Sequence, residues 1–390
     1  MKTRTNEDNN SGGIISSPHL RPIQVSLAVA AHAARIYEPE HRRAVLWLAN
    51  LAANSRRVQL CWQRRGLPDP LGTIGQIAEA ELAKKLNLAP LAILRALTGH
   101  SEADLPAFTA SVTKFRAEFE AQIPKLIPTS DMQTVADAFA AAADEHEIAE
   151  LRGKWRHGKT ELCERQWLLN LDRAVWIDTP SDNAQQTFIL SIASALGIGQ
   201  HYNLSRLHTR VKQAVGIGLI DTLMFDEAHN LWPSDLRDAK PVRAEYVREL
   251  RDSTGVGSML ITTEQFALSM EIAKKRNTRY APGQLFGRIR AFTTSDKHTQ
   301  KEIKAIAGLH IGKADADAIH ALALFAEAEE GYLGTMVQAA RRARVAATKE
   351  GRDTVTAADI AAATRAQQHD TRIVQMASNV KLNARGRRAA

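Results

Sequence analysis

The chain has only two cysteines in 390 residues, and they form no recognisable pattern. Cys61 and Cys163 lie far apart and belong to no CxxC or Cys/His cluster, which argues against a disulfide framework or a zinc site. Such sparse cysteine usage is typical of a reducing compartment. Long hydrophobic runs are also missing. The longest candidate, residues 23–34, is interrupted by His32 and falls short of the roughly 20 residues that a membrane span needs. The sequence therefore predicts a cytoplasmic protein that does not cross a membrane.

Acidic residues are outnumbered by basic ones, with 43 Asp and Glu against 51 Lys and Arg, which gives a formal net charge of +8. This balance makes a polyanion the first partner to consider, although the same charge would also aid solubility. Hydrophobic residues make up 44% of the chain and charged residues 24%, so collagen-like and wholly disordered classes are excluded. A chain of this length favours two or more domains.

The middle of the chain predicts an α/β fold. Three short apolar runs there have the length of buried strands, namely residues 174–177, 223–225 and 259–262. Their alternation with helical stretches predicts a parallel sheet flanked by helices, and no strand is predicted after about Ser295. The pattern before Pro124 is helical. The expected parts are a disordered tail (1–20), a helical N-terminal domain (21–128), an α/β nucleotide-binding core (129–296), a helical lid (297–366) and a basic C-terminal tail (367–390).

A phosphate-binding loop is the first chemical motif of the core. Residues 153–160 read GKWRHGKT and satisfy the pattern G-x-x-x-x-G-K-[ST], in which backbone amides wrap a phosphate at a helix N-terminus. Lys159 would neutralise the β and γ phosphates of ATP, and the Thr160 hydroxyl would bind Mg²⁺. Arg156 stands where many such loops have a small residue, which leaves weakened ATP binding as an alternative. The predicted cofactor-binding residues here are Gly153, His157, Gly158, Lys159, Thr160 and Glu161.

A second motif follows in the order that a nucleotide site requires. The apolar run 219–225 ends in two carboxylates, Asp226 and Glu227. Asp226 is predicted to hold Mg²⁺ together with Thr160, and Glu227 is predicted to orient or activate the attacking water. The alternative is a strand that ends in a solvated acidic turn, which would have the same two residues. The presence of both motifs in the right order favours an ATP site.

Further along, Leu260–Glu264 stands at the place of a sensor 1 strand, and residues 284–290 read QLFGRIR, similar to a Leu-Phe-x-Arg-Ile segment. With these motifs, the segment from about Asp131 to Ala366 resembles AAA+ ATPases of the transposition-regulator group, which includes the Mu B, TnsC and IstB proteins. The resemblance implies an AAA+ core with a helical lid and an ATPase that uses ATP and Mg²⁺. It also implies assembly as a homo-oligomeric ring or filament on double-stranded DNA, and a transposase partner.

The resemblance also implies two catalytic roles beyond Glu227. Thr263 would serve as sensor 1, where the family usually has Asn, and Arg288 would reach a neighbouring subunit's γ-phosphate as an arginine finger. A surface or lid-pairing role is the alternative for Arg288, with Arg290 as the nearest rival. The family's Gly-x-x-Arg sensor 2 pattern is here GTMV at residues 334–337, with Arg341 one turn later. These departures predict slow hydrolysis that the oligomer or DNA stimulates.

The N-terminal domain contains a sequence typical of a helix-turn-helix. Residues 80–99 predict a helix, a short turn and a second helix that begins at Pro90. A plain helical hairpin would have a similar sequence. The second helix has no Asn or Gln to read adenine, so contacts to the DNA backbone that ignore base sequence are expected. The predicted DNA-binding residues are Arg56, Arg57, Arg64, Arg65, Lys84, Lys85 and Arg95.

The sequence is compatible with three functions. The first is an ATP-dependent DNA-binding regulator of transposition. The second is another AAA+ switch, such as an origin-type replication initiator or a signalling or defence ATPase, whose N-terminal helices recognise a protein. The third is a DNA-binding repressor with a relict phosphate loop.

Overall fold

The computed structural model describes residues 26–64, 71, 79–182, 184–199, 202–232, 241–264, 266–268, 271, 287–295, 297–328 and 332–366. Six helices come first, and their apolar faces pack together. Trp47, for example, meets Phe115 and Phe119 edge-on, with ring centroids 5.8 and 5.7 Å apart. The helices are α1 (Leu27–Ala34), α2 (Pro39–Ala53), α3 (Ser55–Arg64), α4 (Glu79–Leu86), α5 (Pro90–Thr98) and α6 (Leu105–Gln122).

Five parallel strands form the central sheet. They lie side by side in the order β2-β3-β4-β1-β5. The strands in chain order are β1 (Ile148–Arg152), β2 (Ala174–Asp178), β3 (Thr222–Asp226), β4 (Gly257–Ile261) and β5 (Ile289–Thr293). This confirms the predicted α/β fold. The three predicted runs correspond to β2, β3 and β4.

Helices cover the sheet, as a parallel sheet requires because its strands are apolar on both faces. Gly257 at the start of β4 lies directly against α7, where an added Cβ would come 1.7 Å from the carbonyl oxygen of Ala142. The helices of the core are α7 (Ser130–Ala143), α8 (Lys159–Leu169), α9 (Gln185–Ala195), α10 (Leu204–Val215) and α11 (Val242–Thr254).

The third part is helical and has a hydrophobic cluster of its own, built around side chains such as Ile303, Leu322 and Met336. Its first helix begins with a capping box in which Thr299 and Glu302 exchange hydrogen bonds between side chain and backbone. The helices are α12 (Gln300–Ile311), α13 (Ala316–Ala328) and α14 (Tyr332–Lys349), followed by a helical segment at residues 357–366. We refer to residues 297–366 as the lid.

The N-terminal helices and the sheet share one continuous hydrophobic cluster, which extends from Leu27 to Phe266. Asn50 of α2 is buried at this junction, where its side-chain amide donates to the carbonyl oxygens of Leu171 and Ala174 at 2.6 and 2.7 Å. The N-terminal helices are therefore fixed to the α/β core by packing and by buried hydrogen bonds. Among the residues that the structure describes, none of the helices combines the length and hydrophobicity of a membrane span.

Candidate nucleotide-binding site

The predicted phosphate loop connects β1 to α8 and lies at the carboxyl edge of the sheet. Gly158 caps the N-terminus of α8 with a φ of 82°, a conformation that glycine adopts without strain. Arg156 also has a left-handed φ, of 61°, which is uncommon for a residue with a side chain. Its guanidinium lies over the Trp155 ring, 4.2 Å from the centroid, and both side chains are exposed. Both residues also line the cavity that opens beside the loop.

Lys159 is folded over the inside of this loop. Its ammonium donates to the carbonyl oxygens of Gly153 and Lys154 at 2.7 and 2.5 Å, and the residue is buried. Burial lowers the pKa of this lysine, an effect that the nearby carboxylates of Asp226 and Glu227 oppose. The amine is thus held beside the loop at the place where phosphate oxygens would be bound.

Thr160 and Asp226 meet across the gap between α8 and β3. The Thr160 hydroxyl donates to Asp226 Oδ1 at 3.3 Å, and the Glu227 amide donates to the same oxygen at 3.0 Å. Burial, together with the negative charge of Glu227, raises the pKa of Asp226 to about 6. A hydroxyl beside a carboxylate, next to a phosphate loop, is the oxygen donor set that Mg²⁺ prefers. These residues therefore fit the predicted Mg²⁺ site.

Two of the predicted catalytic residues, Glu227 and Thr263, lie at the same edge of the sheet as the phosphate loop. Glu227 follows β3 with a left-handed φ of 50°, and its side chain is 59% exposed with the carboxylate 3.3 Å from His229 Nδ1. Thr263 follows β4 and lines the same cavity as Glu227. The preceding Thr262 also lines this cavity, but it is buried and its hydroxyl donates to Glu150 at 2.9 Å. Thr263 is the more exposed of the two threonines, and its catalytic role stays a prediction.

A cavity of about 1070 Å³ extends between the phosphate loop and the lid. Its size reaches the upper end of the range found for small-molecule sites. The lid approaches closely because Gly334 donates its amide to the Arg156 carbonyl oxygen at 2.9 Å. Arg341, one turn beyond the sensor 2 position at Val337, also lines this cavity. The lid residues on the wall are Ile306, His310, Leu333, Gly334, Val337, Gln338, Arg341 and Arg344.

Comparison with protein families matches residues 144–269, which contain both nucleotide motifs, to the family described as AAA domain. The core has the AAA+ P-loop fold. The comparison with curated proteins gave no match.

Several solved structures are similar to the chain at low identity. ORC2 of Aeropyrum pernix in its ADPNP–ADP complexes has 12% identity and a TM-score of 0.48, covering 64% of this chain and 71% of that one. ORC1 of the same organism in complex with DNA has 14% identity and a TM-score of 0.47, covering 64% and 68%. The RuvB Holliday junction branch migration motor of Thermotoga maritima has 15% identity and a TM-score of 0.40, covering 62% and 72%.

His157 and Glu161 differ in burial. His157 is buried, with its ring stacked against His298 at a centroid distance of 5.9 Å. Burial lowers the pKa of His157. Glu161, in the first turn of α8, is half-buried. Both residues line the cavity, and His157 also connects the loop to the start of the lid.

Arg288 lies at the opposite edge of the AAA+ core from the phosphate loop. It directly precedes β5 and forms an ion pair with Asp252 of α11, whereas Arg290 pairs with Glu145 at 2.8 Å. Because β1 and β5 run parallel in register, the length of a five-residue strand, about 17 Å, separates Arg288 from the edge that carries the loop. Residues 284–286 of the predicted arginine-finger segment lie outside the described residues.

Two of the predicted DNA-binding arginines contact a buried carboxylate beside the cavity, and DNA binding by them stays a prediction. Arg57 and Arg64, both on α3, contact the carboxylate of Glu164, which is buried on α8. Arg64 and Glu164 also line the cavity. Sequence reasoning missed this arrangement because the partners are about 100 positions apart, although an acidic residue one turn after the loop's threonine does require a cation when buried. Arg65 lies outside the described residues.

The remaining predicted DNA-binding residues are on the N-terminal helices. Arg56 on α3 is exposed, as are Lys84 and Lys85 at the end of α4. Arg95 on α5 is half-buried and pairs with Glu102 at 3.1 Å. Helices α4 and α5 are joined by three residues, as the sequence predicts. DNA binding by this helix pair stays a prediction.

Proposed function

We propose that this protein is an ATP-dependent DNA-binding AAA+ ATPase that assembles on duplex DNA and regulates transposition by recruiting a transposase. The observation that carries the ATPase part is the meeting of Lys159, Thr160, Asp226 and Glu227 at one edge of the sheet, beside a cavity large enough for a nucleotide. The transposition part rests on the sequence resemblance. Cys61 and Cys163 are buried and are not joined in a disulfide, which is compatible with the cytoplasmic location that the proposal requires.

Each residue that lines the cavity has a separate role in the proposed reaction. Amides of the loop and the Lys159 ammonium bind the phosphates, while Thr160 and Asp226 supply oxygen ligands for Mg²⁺. Bound Mg²⁺ would neutralise charge on the β and γ phosphates. Glu227 is exposed towards the cavity, so it would orient the water that attacks the γ-phosphate, and Thr263 would donate its hydroxyl nearby.

The position of Arg288 supports the proposed homo-oligomer. In its own subunit this arginine is at the edge of the sheet opposite to the phosphate loop, so it would act only on a neighbour's nucleotide. An arginine supplied in this way stabilises the charge of the transition state and accelerates phosphoryl transfer by about 10³- to 10⁵-fold. Isolated subunits would therefore hydrolyse ATP slowly, and assembly on DNA would accelerate hydrolysis.

Proposed DNA binding depends on backbone phosphates. The net charge of +8 and the exposed Arg56, Lys84 and Lys85 support contacts that do not depend on base sequence. Retention of the full-length protein on duplex DNA tests this. We expect retention only with a non-hydrolysable ATP analogue and Mg²⁺, and a steep decrease between 50 and 200 mM salt. Lys159→Ala should abolish retention. Nucleotide-independent retention of this variant would instead favour a repressor with a relict phosphate loop.

A second candidate is an AAA+ switch, such as a replication initiator or a signalling or defence ATPase, whose N-terminal helices bind a protein. Helix α5 favours it, because Leu91 and Leu94 on its surface are 55% and 41% exposed, while Arg95 is engaged by Glu102. A recognition helix for DNA would present polar groups there. Absent or salt-insensitive DNA binding, together with loss of partner binding on Leu94→Lys, would favour this candidate.

A further inference from the structure

Arg57 of helix α3 lies among three carboxylates that belong to three different elements of the AAA+ core. Its Nη2 atom is 2.8 Å from Glu164 Oε1 and 3.8 Å from Asp226 Oδ2, and its Nη1 atom is 2.5 Å from Asp178 Oδ1. The guanidinium also stacks on the Trp176 ring, 4.7 Å from the centroid. With only 16% of the side chain exposed, Arg57 is held in one place from several sides.

The two oxygens of Asp226 face different partners. Oδ1 accepts hydrogen bonds from Thr160 and from the Glu227 amide, on the side where Mg²⁺ would bind. Oδ2 faces Arg57. Outer groups that orient a metal ligand in this way fix the direction of its lone pairs, and their removal commonly weakens metal binding. Arg57 is thus placed on the Oδ2 side of Asp226, where it fixes the carboxylate so that Oδ1 faces the proposed Mg²⁺ position.

We infer that Arg57 is a positioning residue for Mg²⁺ binding by Asp226, and that it couples the N-terminal helices to the nucleotide site. The inference rests on the proposed ATP function. Arg57 acts through Asp226 rather than on the nucleotide itself. Because Arg57 belongs to α3, a displacement of the N-terminal helices by a ligand would move this guanidinium and change the Mg²⁺ requirement of the site.

An arginine suits this position better than a lysine would. Its planar guanidinium reaches Asp178 with one nitrogen and Glu164 with the other while stacking on an aromatic ring. A lysine would supply the charge at a single point. Arg57 and Arg64 both neutralise Glu164, which is only 2% exposed, so loss of the Arg57 charge would leave this buried carboxylate less well compensated.

The test compares Arg57→Gln and Arg57→Lys with the full-length wild-type protein. Binding of a fluorescent ATP analogue is measured in EDTA and across a Mg²⁺ titration. We expect Arg57→Gln to bind the analogue in EDTA as the wild type does, because the phosphate loop is unchanged. It should need about 10- to 100-fold more Mg²⁺ to reach the half-maximal response. Arg57→Lys should be intermediate, which a loss of packing alone would not produce.

Arg116→Gln is the matched control. Arg116 is also a half-buried arginine paired with two carboxylates, Glu120 and Asp172, but it lies on α6, outside the nucleotide cavity. Its Mg²⁺ midpoint should equal that of the wild type. If Arg57→Gln does not fold, the midpoint of Arg57→Lys decides. A wild-type midpoint in the Arg57 variants overturns this inference alone, whereas a wild-type protein that binds no analogue overturns the proposed function as well.

Discussion

The proposed roles of Glu227 and Lys159 are separable, because Glu227 lines the cavity beyond the end of β3 whereas Lys159 lies within the phosphate loop. Glu227→Gln keeps the size of the side chain but removes the base. We expect this variant to bind ATP with wild-type affinity and to hydrolyse it at least about 100-fold more slowly, the smaller end of the range for general-base catalysis. Filter binding and phosphate release measure the two properties. Equal loss of binding and turnover would contradict the assignment.

Single residues of the site were predictable where a motif fixes their spacing. The loop 153–160 and the pair Asp226–Glu227 are recognisable because binding of phosphate and Mg²⁺ requires particular residue types at fixed positions. Arg57 and Arg64 were not predictable, since a run of arginines near the N-terminus has the same appearance whether it faces DNA or a buried carboxylate. Only the fold brings them to Glu164.

At the scale of elements, the contact between the lid and the phosphate loop depends on a small residue. A Cβ on Gly334 would lie 2.7 Å from the Cβ of Arg156, so a larger residue must push α14 away from the loop. We expect Gly334→Val to weaken ATP binding about tenfold, which corresponds to 1.4 kcal/mol and lies within the usual cost of overpacking. Equilibrium binding of an ATP analogue measures this.

Gly308→Ala is the control for this prediction. It also adds a methyl group to a lid helix, but the nearest atom would be Ile319 Cδ1 at 3.9 Å, an ordinary contact distance. This variant should bind ATP normally and be slightly more stable, because alanine favours a helix over glycine. Equal weakening by both substitutions would show that the contact between Gly334 and Arg156 has no special importance.

The final helical segment of the lid, residues 357–366, predicts a pH dependence. Arg352 contacts both oxygens of Asp359, at 2.8 and 2.7 Å, and the Thr356 amide donates to one of them at 2.8 Å. The hydrogen bonds from Arg352 and Thr356 hold the pKa of Asp359 well below its usual range. A depressed carboxyl pKa stabilises the fold above the unfolded pKa of about 4, and this stabilisation is lost as the pH falls further.

Asp359→Asn should therefore lower the stability of the lid by about 1 kcal/mol at pH 7, the typical value for a helix-capping side chain. The difference between wild type and variant should shrink as the pH falls below about 4, because the Asp359 carboxyl of the unfolded chain then binds a proton that the folded state still excludes. Denaturant unfolding of both proteins across this pH range provides the measurement. A difference that is independent of pH would contradict the role of the ion pair.

The elements themselves were only partly predictable. Strands β2, β3 and β4 are apolar runs, which identifies them. Strand β1 contains Glu150, whose burial beside Arg152 and Thr262 is visible only in three dimensions. Strand β5 is at the edge of the sheet and mixes apolar with polar residues, and Arg290 is half-exposed there. A search for continuous apolar runs therefore misses both.

For the whole molecule, the shared core predicts that the N-terminal helices and the AAA+ sheet unfold together. Asn50→Ala removes two buried hydrogen bonds between them, and we expect it to cost about 2 kcal/mol. Hydrogen exchange should show α2 and β2 losing protection to the same extent. The exposed Gln122→Ala on α6 is the control and should change stability little. Loss of protection in α2 alone would show that the N-terminal helices are an independent unit.

The length of the chain favours several domains, but it does not predict that the N-terminal helices and the sheet share one hydrophobic core. That packing depends on which side chains meet at the junction. Pro124 and Pro128 do separate α6 from α7 in sequence, yet Asn50 and the arginines of α3 connect the N-terminal helices to the core. The positive charge of the N-terminal region is divided in the same way. Part of it neutralises carboxylates at the nucleotide site, and part, including Arg56 and Lys84, is exposed.

Electron microscopy of the full-length protein with duplex DNA, Mg²⁺ and a non-hydrolysable ATP analogue tests the central proposal most directly. The account predicts regular rings or filaments on the DNA, formed only with the analogue and absent for Lys159→Ala. Dispersed monomers that are not retained on DNA, with the analogue as without it, would contradict the account.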